Sequence, residues 1–511
     1  MSIYNACADL LDRNVEAGRG DKIAFIDDAR QLTYAQLQAA TRRFANLLRR
    51  LGIRREERIL MLMTDTVDFP VVFLGAIRAG VVPVPVNTLL APEQYAYILE
   101  DSRARTLIVS AALLPVVEPC LAAARHLDHV LVAGGKAASP HLDFAAALAA
   151  EADQFETVAT HADETAFWLY SSGSTGAPKG TRHVHASLMA TAQLFAQAIL
   201  DIKEDDLVYS AAKLFFAYGL GNALTFPMSV GATAVLEPGR PTPERVFGIL
   251  EKHRPTIFCG VPTLFSSLLH DAAYAAHKGS PRLRICTSAG EALPEHIGTA
   301  FTKRFGVEII DGVGSTEMLH IFLSNRPGDV VYGTSGKPVP GYDVRLTDEA
   351  GQEVADGEVG ELFVRGPSAA EGYWNQRAKS RGTFHGEWTR TGDKYTRDAT
   401  GRYTYCGRAD DMFKVSGIWV SPFEVEAALM ADPAVLEAAV VPHADEDGLL
   451  KPKAFIVLKP GAERDNLEQR LKEQVKATAG AWKYPRWISI IDELPKTATG
   501  KIQRYKLREG G

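Results

Sequence analysis

The stretch Tyr170-Ser-Ser-Gly-Ser-Thr-Gly-Ala-Pro-Lys-Gly180 carries the strongest local signal in the chain. It follows the apolar run Ala166-Phe-Trp-Leu169, which predicts a strand, and it precedes a helical pattern that starts at about Ala186. Small hydroxyl residues and three glycines let backbone N–H groups approach a polyphosphate closely, and Lys179 adds a positive charge. The stretch does not end in Gly-Lys-Ser/Thr, so it is not a Walker A loop. We predict a phosphate-binding loop between a strand and a helix.

Strand-like and helix-like segments alternate along the chain around this loop. Residues 33–51 carry apolar side chains at helical spacing, and residues 58–63 form a nearly continuous apolar run, typical of a strand buried on both faces. The alternation continues with a helix at 69–79 and strands at 106–109 and 129–132. This pattern predicts an α/β fold with mostly parallel sheets covered by helices.

The pattern changes after about residue 329. Short strands with glycine turns predict an antiparallel, barrel-like portion over about 330–409. From Ser421 onward, a helix, two strands, a second helix and a last strand predict a separate α+β domain. We therefore expect a large multi-layer N-terminal domain at 1–409, whose sheets are covered by helices, and a small α+β C-terminal domain at 410–511, joined by a hinge.

The composition excludes several classes of protein. The 511 residues include 56 Lys plus Arg against 62 Asp plus Glu, a net charge of -6, whereas binding to nucleic acid needs a basic surface. The apolar runs are too short to span a bilayer, and the N-terminus lacks the pattern of a signal peptide. Five widely spaced cysteines show no metal-binding or CxxC spacing, and we interpret them as buried apolar residues in a reducing compartment. We expect a cytoplasmic protein with no nucleic-acid or membrane partner.

Further motifs combine glycine turns with charged or hydroxyl side chains. In Asp311-Gly-Val-Gly-Ser-Thr-Glu317, a carboxylate beside a threonine hydroxyl suits Mg²⁺ bound together with substrate phosphates. Thr391-Gly-Asp393 offers a carboxylate to a vicinal diol such as that of a ribose. Leu494-Pro-Lys-Thr-Ala-Thr-Gly-Lys501 ends in a lysine that can offset charge between a carboxylate and a phosphate. Each motif alone is also compatible with a plain turn or a solvated basic tail.

Together and in this order, the motifs resemble those of the AMP-forming acyl-CoA synthetases, a branch of the adenylate-forming superfamily. Every position of that family's loop pattern, Ser/Thr-Ser/Thr-Gly-Ser/Thr-Thr-Gly-x-Pro-Lys-Gly, is matched from residue 171 to residue 180. The resemblance implies that the ATP phosphates are bound by Ser171, Ser172, Gly173, Ser174, Thr175, Gly176 and Lys179. It implies that the adenine and neighbouring groups are contacted by Ala289, Gly290, Glu291, Asp311 and Gly312.

The same resemblance assigns the remaining roles at the nucleotide and CoA sites. It places Thr316 on the α-phosphate, Glu317 on Mg²⁺ and Asp393 on the ribose hydroxyls. It places Arg408 on the ribose or a phosphate, makes Asp410 the hinge, and turns Ser416 and Gly417 toward CoA after the C-terminal domain rotates. Lys501 is implied as the catalytic lysine, together with Thr316 and Glu317. ATP, Mg²⁺ and coenzyme A are therefore the expected cofactor and co-substrates.

The substrate class rests on two further phrases. Phe215-Phe-Ala-Tyr-Gly-Leu-Gly-Asn222 and Ser315-Thr-Glu-Met-Leu-His-Ile321 resemble the benzoate–CoA ligase subgroup. Aromatic and small residues suit a flat apolar acid better than a long flexible chain. By this match, the ring or its carboxylate would be surrounded by Ala217, Tyr218, Gly314, His320 and Ile321.

The implied reaction is the ligation of benzoate, or a close aromatic acid, to CoA through an acyl-adenylate, with release of AMP and pyrophosphate. Within the enzyme class, a hydroxybenzoate, an aminobenzoate or a medium-chain fatty acid remains an alternative substrate. A non-catalytic adenylate-binding sensor is the alternative from another class, although Lys501, Glu317 and Asp393 are all in place. A homodimer and acetylation of Lys501 by a lysine acetyltransferase, reversed by a deacetylase, are further expectations.

Overall fold

The computed structural model describes residues 3–173, 176–415, 418–446, 449–480, 482–496 and 502–509. Within these residues, strands β1 to β27 are, in chain order, Ile23–Ile26, Gln31–Thr33, Arg58–Leu62, Val82–Pro85, Thr106–Ser110, His129–Ala133, Leu142–Asp143, Thr165–Gly173, Gly176–Val184, Leu207–Ser210, Thr233–Val235, Ile257–Gly260, Ile285–Ser288, Ile309–Gly314, Ile321–Ser324, Lys337–Pro338, Asp343–Thr347, Gly360–Arg365, Gly372–Tyr373, Phe384–His385, Trp388–Arg397, Tyr403–Arg408, Phe413–Val415, Ile418–Val420, Val435–Ala444, Leu450–Leu458 and Trp487–Ile490.

Helices α1 to α15 of the same residues are Tyr34–Arg50, Asp68–Arg78, Pro92–Ser102, Leu114–Leu121, Phe144–Ala149, His185–Thr191, Ala217–Leu220, Phe226–Val230, Pro243–His253, Pro262–His270, Glu295–Phe305, Arg377–Thr383, Pro422–Met430, Leu467–Thr478 and Arg504–Glu509. Short 3-10 or π-helical segments lie at Ala8–Asp12, Val15–Arg19, Ala111–Leu113, Ala192–Gln197, Gly221–Thr225 and Ala272–Tyr274.

Two large sheets organise the first part of the chain. One has nine strands in the order β16-β15-β14-β13-β12-β10-β11-β1-β2, and the other has five in the order β4-β3-β5-β6-β7. The five-stranded sheet is parallel throughout. The nine-stranded sheet is parallel from β14 to β1 and antiparallel at both ends. The predicted α/β fold with mostly parallel sheets is confirmed.

Local sequence explains why helix α1 and strand β3 form. The side chain of Thr33 accepts a hydrogen bond from the backbone N–H of Gln36, and the Gln36 side chain returns one to the backbone N–H of Thr33, so a capping box starts α1. The helical stripe of α1 is buried, including Leu37 and Phe44, and β3 is buried from Ile59 onward. The helix predicted at 33–51 and the strand predicted at 58–63 are confirmed.

The motif at 170–180 does not form the strand–loop–helix unit that the sequence predicts. β8 and β9 are the two arms of an antiparallel hairpin, in which Ser171 pairs with Lys179 and Gly173 with Gly176. Helix α6 begins only at His185, after the second arm. The expected loop is therefore a hairpin turn, because the residues after it pair with β8 and with the short strand β19.

The chain divides into two compact units. The first comprises Met1–Val344 and Val364–Thr389, and the second comprises Arg345–Phe363 and Arg390–Gly511. β21 pairs antiparallel with β20 and with β22, as the change of pattern after residue 329 predicts, although β21 has ten residues and is not a short strand.

The second unit contains the C-terminal α+β arrangement that the sequence predicts. β25, β26 and β27 form a three-stranded sheet, with β25 antiparallel and β27 parallel to β26. Its core includes Val425 and Leu429 of α13 and Leu471 and Val475 of α14.

Two composition-based expectations can be compared with the structure. Cys7, Cys120, Cys259 and Cys286 are buried free thiols, whereas Cys406 is only half-buried. No helix in the described parts of the chain combines the length and the hydrophobicity that crossing a membrane requires.

Candidate active site

Aromatic side chains hold the base of the hairpin β8–β9, which carries the predicted phosphate-binding residues. Tyr170 donates a hydrogen bond from its hydroxyl to Asp101 Oδ2 at 2.6 Å, and the backbone N–H of Trp374 donates to the carbonyl of Gly180 at 2.8 Å. The Trp374 ring also packs against Trp168 of β8, with ring centres 4.8 Å apart and ring planes tilted by 35°. The hairpin base is therefore fixed. Ser174 and Thr175 lie outside the described residues.

Lys179, Glu317 and Tyr373 meet beside this hairpin. Lys179 Nζ lies 3.9 Å from Glu317 Oε1 and 3.3 Å from the Tyr373 hydroxyl. The Tyr373 hydroxyl donates to Glu317 Oε1 at 2.7 Å. Two residues that the sequence assigns to phosphate and metal are thus brought together, and a third residue, which the sequence did not indicate, connects them.

The backbone of Thr316 is held by a buried histidine. His183 Nε2 lies 2.9 Å from the Thr316 carbonyl, and because a carbonyl can only accept, Nε2 carries the proton. Burial lowers the pKa of His183 to about 4, so the imidazole is neutral at physiological pH. The neutral His183 thereby fixes the turn that carries Thr316 and Glu317.

The predicted adenine-binding residues lie at the ends of two neighbouring parallel strands. Ser288 of β13 pairs with Asp311 of β14, and Gly312 follows directly. Burial raises the pKa of the Asp311 carboxyl to about 8. After β13 the chain turns at Gly290, whose φ of +92° is a conformation that glycine adopts without strain. Its neighbours Ala289 and Glu291 lie in the same turn.

Tyr218 and His320 of the predicted acyl site are in contact. His320 Nε2 donates to the Tyr218 carbonyl at 3.3 Å, and the two rings lie 5.6 Å apart. Phe226 and Phe195 pack on the imidazole at 4.5 and 5.2 Å. Burial lowers the pKa of His320 to about 3, so this side chain is a neutral member of an aromatic cluster. The Tyr218 hydroxyl lies 2.7 Å from the hydroxyl of Thr287.

Small residues allow this close approach. A Cβ atom on Gly221 would lie 2.4 Å from His320 Cδ2, and one on Gly314 would lie 2.4 Å from the His320 carbonyl oxygen. Gly314 of β14 pairs with Ile321 of β15, which is buried. Ala217 begins helix α7, directly before Tyr218. Four predicted acyl-site residues, Tyr218, Gly314, His320 and Ile321, are therefore brought together, with Ala217 next to them in the chain.

A second set of predicted residues lies in the second unit. Asp393 and Arg408 are register partners on β21 and β22, and Arg408 Nη1 donates to Asp393 Oδ1 at 3.0 Å and to the Thr391 carbonyl at 2.9 Å. The carbonyl of Asp410 accepts from Arg508 of α15 at 3.4 Å. Ser416, Gly417 and Lys501 lie outside the described residues.

Several buried polar atoms of the first unit have no hydrogen-bond partner among the described residues. Among them, those of predicted site residues and their neighbours are Ser171 Oγ, Asn222 Oδ1 and Nδ2, Ser288 Oγ, Asp311 Oδ1 and His320 Nδ1. A buried polar group without a partner is unfavourable, and a bound polar ligand can provide the partner. Their positions on the hairpin β8–β9, at the strand ends and in the aromatic cluster around His320 fit a nucleotide and a small acid.

The residues also fit a magnesium ion that is completed by substrate. In the described residues, no group of three or more His, Cys, Asp or Glu side chains could hold a metal by itself. Mg²⁺ commonly uses one or two carboxylates together with substrate phosphates. The single carboxylate of Glu317, beside the hairpin β8–β9, is consistent with that ligand set.

Three residues were not indicated by the sequence: His183, Thr287 and Tyr373. Thr287 lies two residues before the predicted site residue Ala289, and Tyr373 lies in Gly372-Tyr-Trp374, so neither belongs to a motif quoted above. A lone histidine or tyrosine carries little signal, and only the strand pairing shows what each contacts.

The chain matches two family models that together cover most of its length. Residues 11–374 match the AMP-binding enzyme family, and residues 424–501 match the AMP-binding enzyme C-terminal domain. The chain therefore belongs to the AMP-binding enzyme family.

Individual relatives are identical to this chain at more than half of the aligned positions. A 4-hydroxybenzoate–CoA/benzoate–CoA ligase of Rhodopseudomonas palustris is 56% identical over 508 residues, 99% of this chain and 94% of that protein. A benzoate–CoA ligase of Thauera aromatica is 57% identical over 508 residues, 99% of this chain and 96% of that protein. Crystal structures of a benzoate CoA ligase from Burkholderia xenovorans LB400 match with 53% identity and a TM-score of 0.91, covering 99% of this chain and 100% of that one. The resemblance to benzoate–CoA ligases and the fold of a large N-terminal and a small C-terminal domain are confirmed.

Proposed function

We propose that this chain ligates benzoate to coenzyme A in an ATP-dependent reaction that proceeds through benzoyl-adenylate and releases AMP and pyrophosphate. The observation that carries the proposal is the uncharged aromatic cluster around His320, next to strand ends with unpartnered polar groups. An uncharged, mostly aromatic site favours a flat apolar acid. The names of the relatives at 56 and 57% identity support the same substrate.

The residues of the first unit have separate tasks in this proposal. Lys179 and the hairpin backbone bind the ATP phosphates, and Thr316 contacts the α-phosphate. Glu317 would hold Mg²⁺, which when bound neutralises charge on the phosphates. Tyr218, His320 and the glycines beside them orient the aromatic acid.

The second unit supplies the remaining groups. Asp393 is proposed to bind the ribose hydroxyls, with Arg408 holding its carboxylate, as their 3.0 Å contact supports. We further propose that residues 410–511 act as a mobile domain that turns at Asp410, since Lys501 and the CoA-facing Ser416 and Gly417 cannot both serve one site from one place. Lys501 would act on the adenylation half-reaction.

The test is AMP formation with ATP, Mg²⁺ and CoA against benzoate, 4-hydroxybenzoate, 2-aminobenzoate, hexanoate and acetate. A preference for benzoate is expected. A preference for hexanoate would keep the class of enzyme and overturn the acyl-site assignment. ATP binding without AMP formation from any of the acids would favour the adenylate-binding sensor.

A hydroxybenzoate is the second candidate substrate, and one observation favours it. The Tyr218 and Thr287 hydroxyls, 2.7 Å apart, form a polar pair in otherwise aromatic surroundings, and a ring hydroxyl could join them. Equal kcat/KM values for benzoate and 4-hydroxybenzoate would support this reading. The homodimer, acetylation of Lys501 and the cytoplasmic location stay predictions from the sequence.

A further inference from the structure

Tyr373 is buried, and its backbone and its ring each contact neighbouring residues. It lies in β19, where it pairs with Thr181 of the hairpin arm β9, and its backbone N–H donates to Ser380 Oγ at 2.9 Å. Its ring packs on Phe384 at a centroid distance of 5.4 Å. Since the side chain is only 5% exposed, the position of its hydroxyl is set by the fold rather than by solvent.

The hydroxyl makes contacts of opposite kinds with two charged groups. It donates its proton to Glu317 Oε1 at 2.7 Å, while Lys179 Nζ lies 3.3 Å from its oxygen and donates to it. The same ammonium lies 4.4 Å from the centre of the Tyr373 ring, within the range of a cation–π contact. Lys179 and Glu317 are 3.9 Å apart, at the outer limit of an ion pair. The hydroxyl, the ammonium and the carboxylate oxygen thus form a triangle in which each group contacts the other two.

The two carboxylate oxygens of Glu317 differ in their contacts. Oε1 accepts from Tyr373 and is the oxygen nearest to Lys179. In the part of the chain that the structure describes, no hydrogen bond reaches Oε2. A hydrogen bond to one oxygen of a carboxylate restricts its rotation, so the other oxygen keeps a defined direction.

We propose that Tyr373 is a positioning residue of the nucleotide site, which orients Glu317 so that Oε2 is presented to a divalent cation while Lys179 stays 3.9 Å from Oε1. The proposal rests on the proposed function, because it assumes that the cation arrives with a nucleotide. It concerns a residue outside the predicted site and one that acts through its neighbours rather than on the substrate.

The test measures nucleotide binding by calorimetry in the full-length chain, with and without Mg²⁺. The variant Tyr373→Phe removes one oxygen atom and keeps the ring. Because a hydrogen bond to a charged group is lost, we expect the Kd for ATP with Mg²⁺ to rise about tenfold. The Kd for ATP without Mg²⁺ should change by less than about threefold, since orientation of Glu317 matters chiefly for the cation.

A matched control is Tyr34→Phe. Tyr34 is also fully buried, and its hydroxyl also donates at 2.7 Å, but to the carbonyl of Ala232 on another part of the fold. This variant should bind ATP as the wild type does, with or without Mg²⁺. In the background Glu317→Gln, where the carboxylate is absent, Tyr373→Phe should have little further effect on binding with Mg²⁺.

Three results would overturn the proposal. They are an unchanged Kd with Mg²⁺, an equal loss with and without Mg²⁺, and tighter binding with Mg²⁺, because in that last case the hydroxyl would compete with the cation. Failure of the proposed function looks different: the wild type would bind ATP with Mg²⁺ and form no AMP from benzoate, and the comparison with Tyr373→Phe would still decide the role of the tyrosine. A wild type that binds no ATP would overturn both.

Discussion

The hydroxyl pair of Thr287 and Tyr218 offers a direct test of how the acyl site is built. Thr287 is fully buried in β13, and its hydroxyl lies 2.7 Å from that of Tyr218. Thr287→Val keeps the shape of the side chain and removes the hydroxyl, so the change is one hydrogen bond in a buried place. The Tyr218 hydroxyl would then lose this partner while it remains beside the proposed ring of the substrate.

The expected decrease in activity follows from the loss of this hydrogen bond. Leaving a buried hydroxyl without its partner costs about 1–3 kcal/mol. If this free-energy cost falls on the binding or reaction of the aromatic acid, kcat/KM for benzoate decreases by roughly 5- to 150-fold. The conversion uses about 1.4 kcal/mol for each tenfold change in rate or affinity. The KM for ATP should stay within about twofold, because the pair lies on the acyl side of the site.

The assay is steady-state AMP formation with benzoate varied at saturating ATP and CoA, and then with ATP varied. Thr287→Ser is the matched control: it keeps the hydroxyl and should retain most of the activity with benzoate. Urea denaturation of both variants separates a loss of stability from a loss in the site. The reasoning is refuted if Thr287→Val keeps wild-type kcat/KM for benzoate, or if Thr287→Ser loses as much as the valine variant.

Three further predictions concern a glycine, a lysine and a histidine. Gly221→Ala places a Cβ 2.4 Å from His320 Cδ2, so the imidazole must move, and kcat/KM for benzoate should fall at least about tenfold while ATP binding is kept. Lys501→Ala should leave ATP binding within about threefold and reduce pyrophosphate release at least about a hundredfold, as expected for a group that offsets charge in the transition state. His185 should make the protein less stable in acid. Burial lowers the pKa of His185 from 6.5 to about 4. Stability that is present above pH 6.5 is therefore lost as the pH falls toward 4, at up to about 1.4 kcal/mol per pH unit. The difference in unfolding free energy between the wild type and His185→Gln should therefore shrink by about 2 kcal/mol between pH 7 and pH 5.

Each of these has its own control. Gly248→Ala, where a Cβ would meet nothing within 4 Å, should leave activity unchanged. Full adenylation by Lys501→Ala would show that its assigned role is wrong. For His185, the backbone N–H of Ala6 donates to Nδ1 at 3.2 Å, so protonation of that nitrogen breaks the contact. A parallel pH dependence of the wild type and His185→Gln in urea titrations would contradict the assignment.

The periodic elements were predictable because their cause is local. α1 begins at its capping box of Thr33 and Gln36 and buries the stripe that the sequence displays, and β3 is buried on both faces, as its apolar run predicts. The hairpin at 171–179 was not predictable in the same way. Glycine and serine there are compatible with a loop, and the antiparallel pairing of Ser171 with Lys179 depends on partners across the strand rather than on neighbours in the chain.

The residues of the candidate site also differ in whether local sequence could predict them. Residues 179 and 317 could be assigned from motifs, because a lysine in a glycine-rich turn and a glutamate beside a threonine carry a chemical signal in a few positions. Tyr373 lies 56 residues from Glu317 and 194 from Lys179, and a lone tyrosine in a short strand carries no such signal. Its part in the site depends on the pairing of β19 with β9, which brings its hydroxyl within hydrogen-bond distance of both charged groups. The groups expected to contact ATP could therefore be found from sequence, whereas the group proposed to orient them could be found only from strand register.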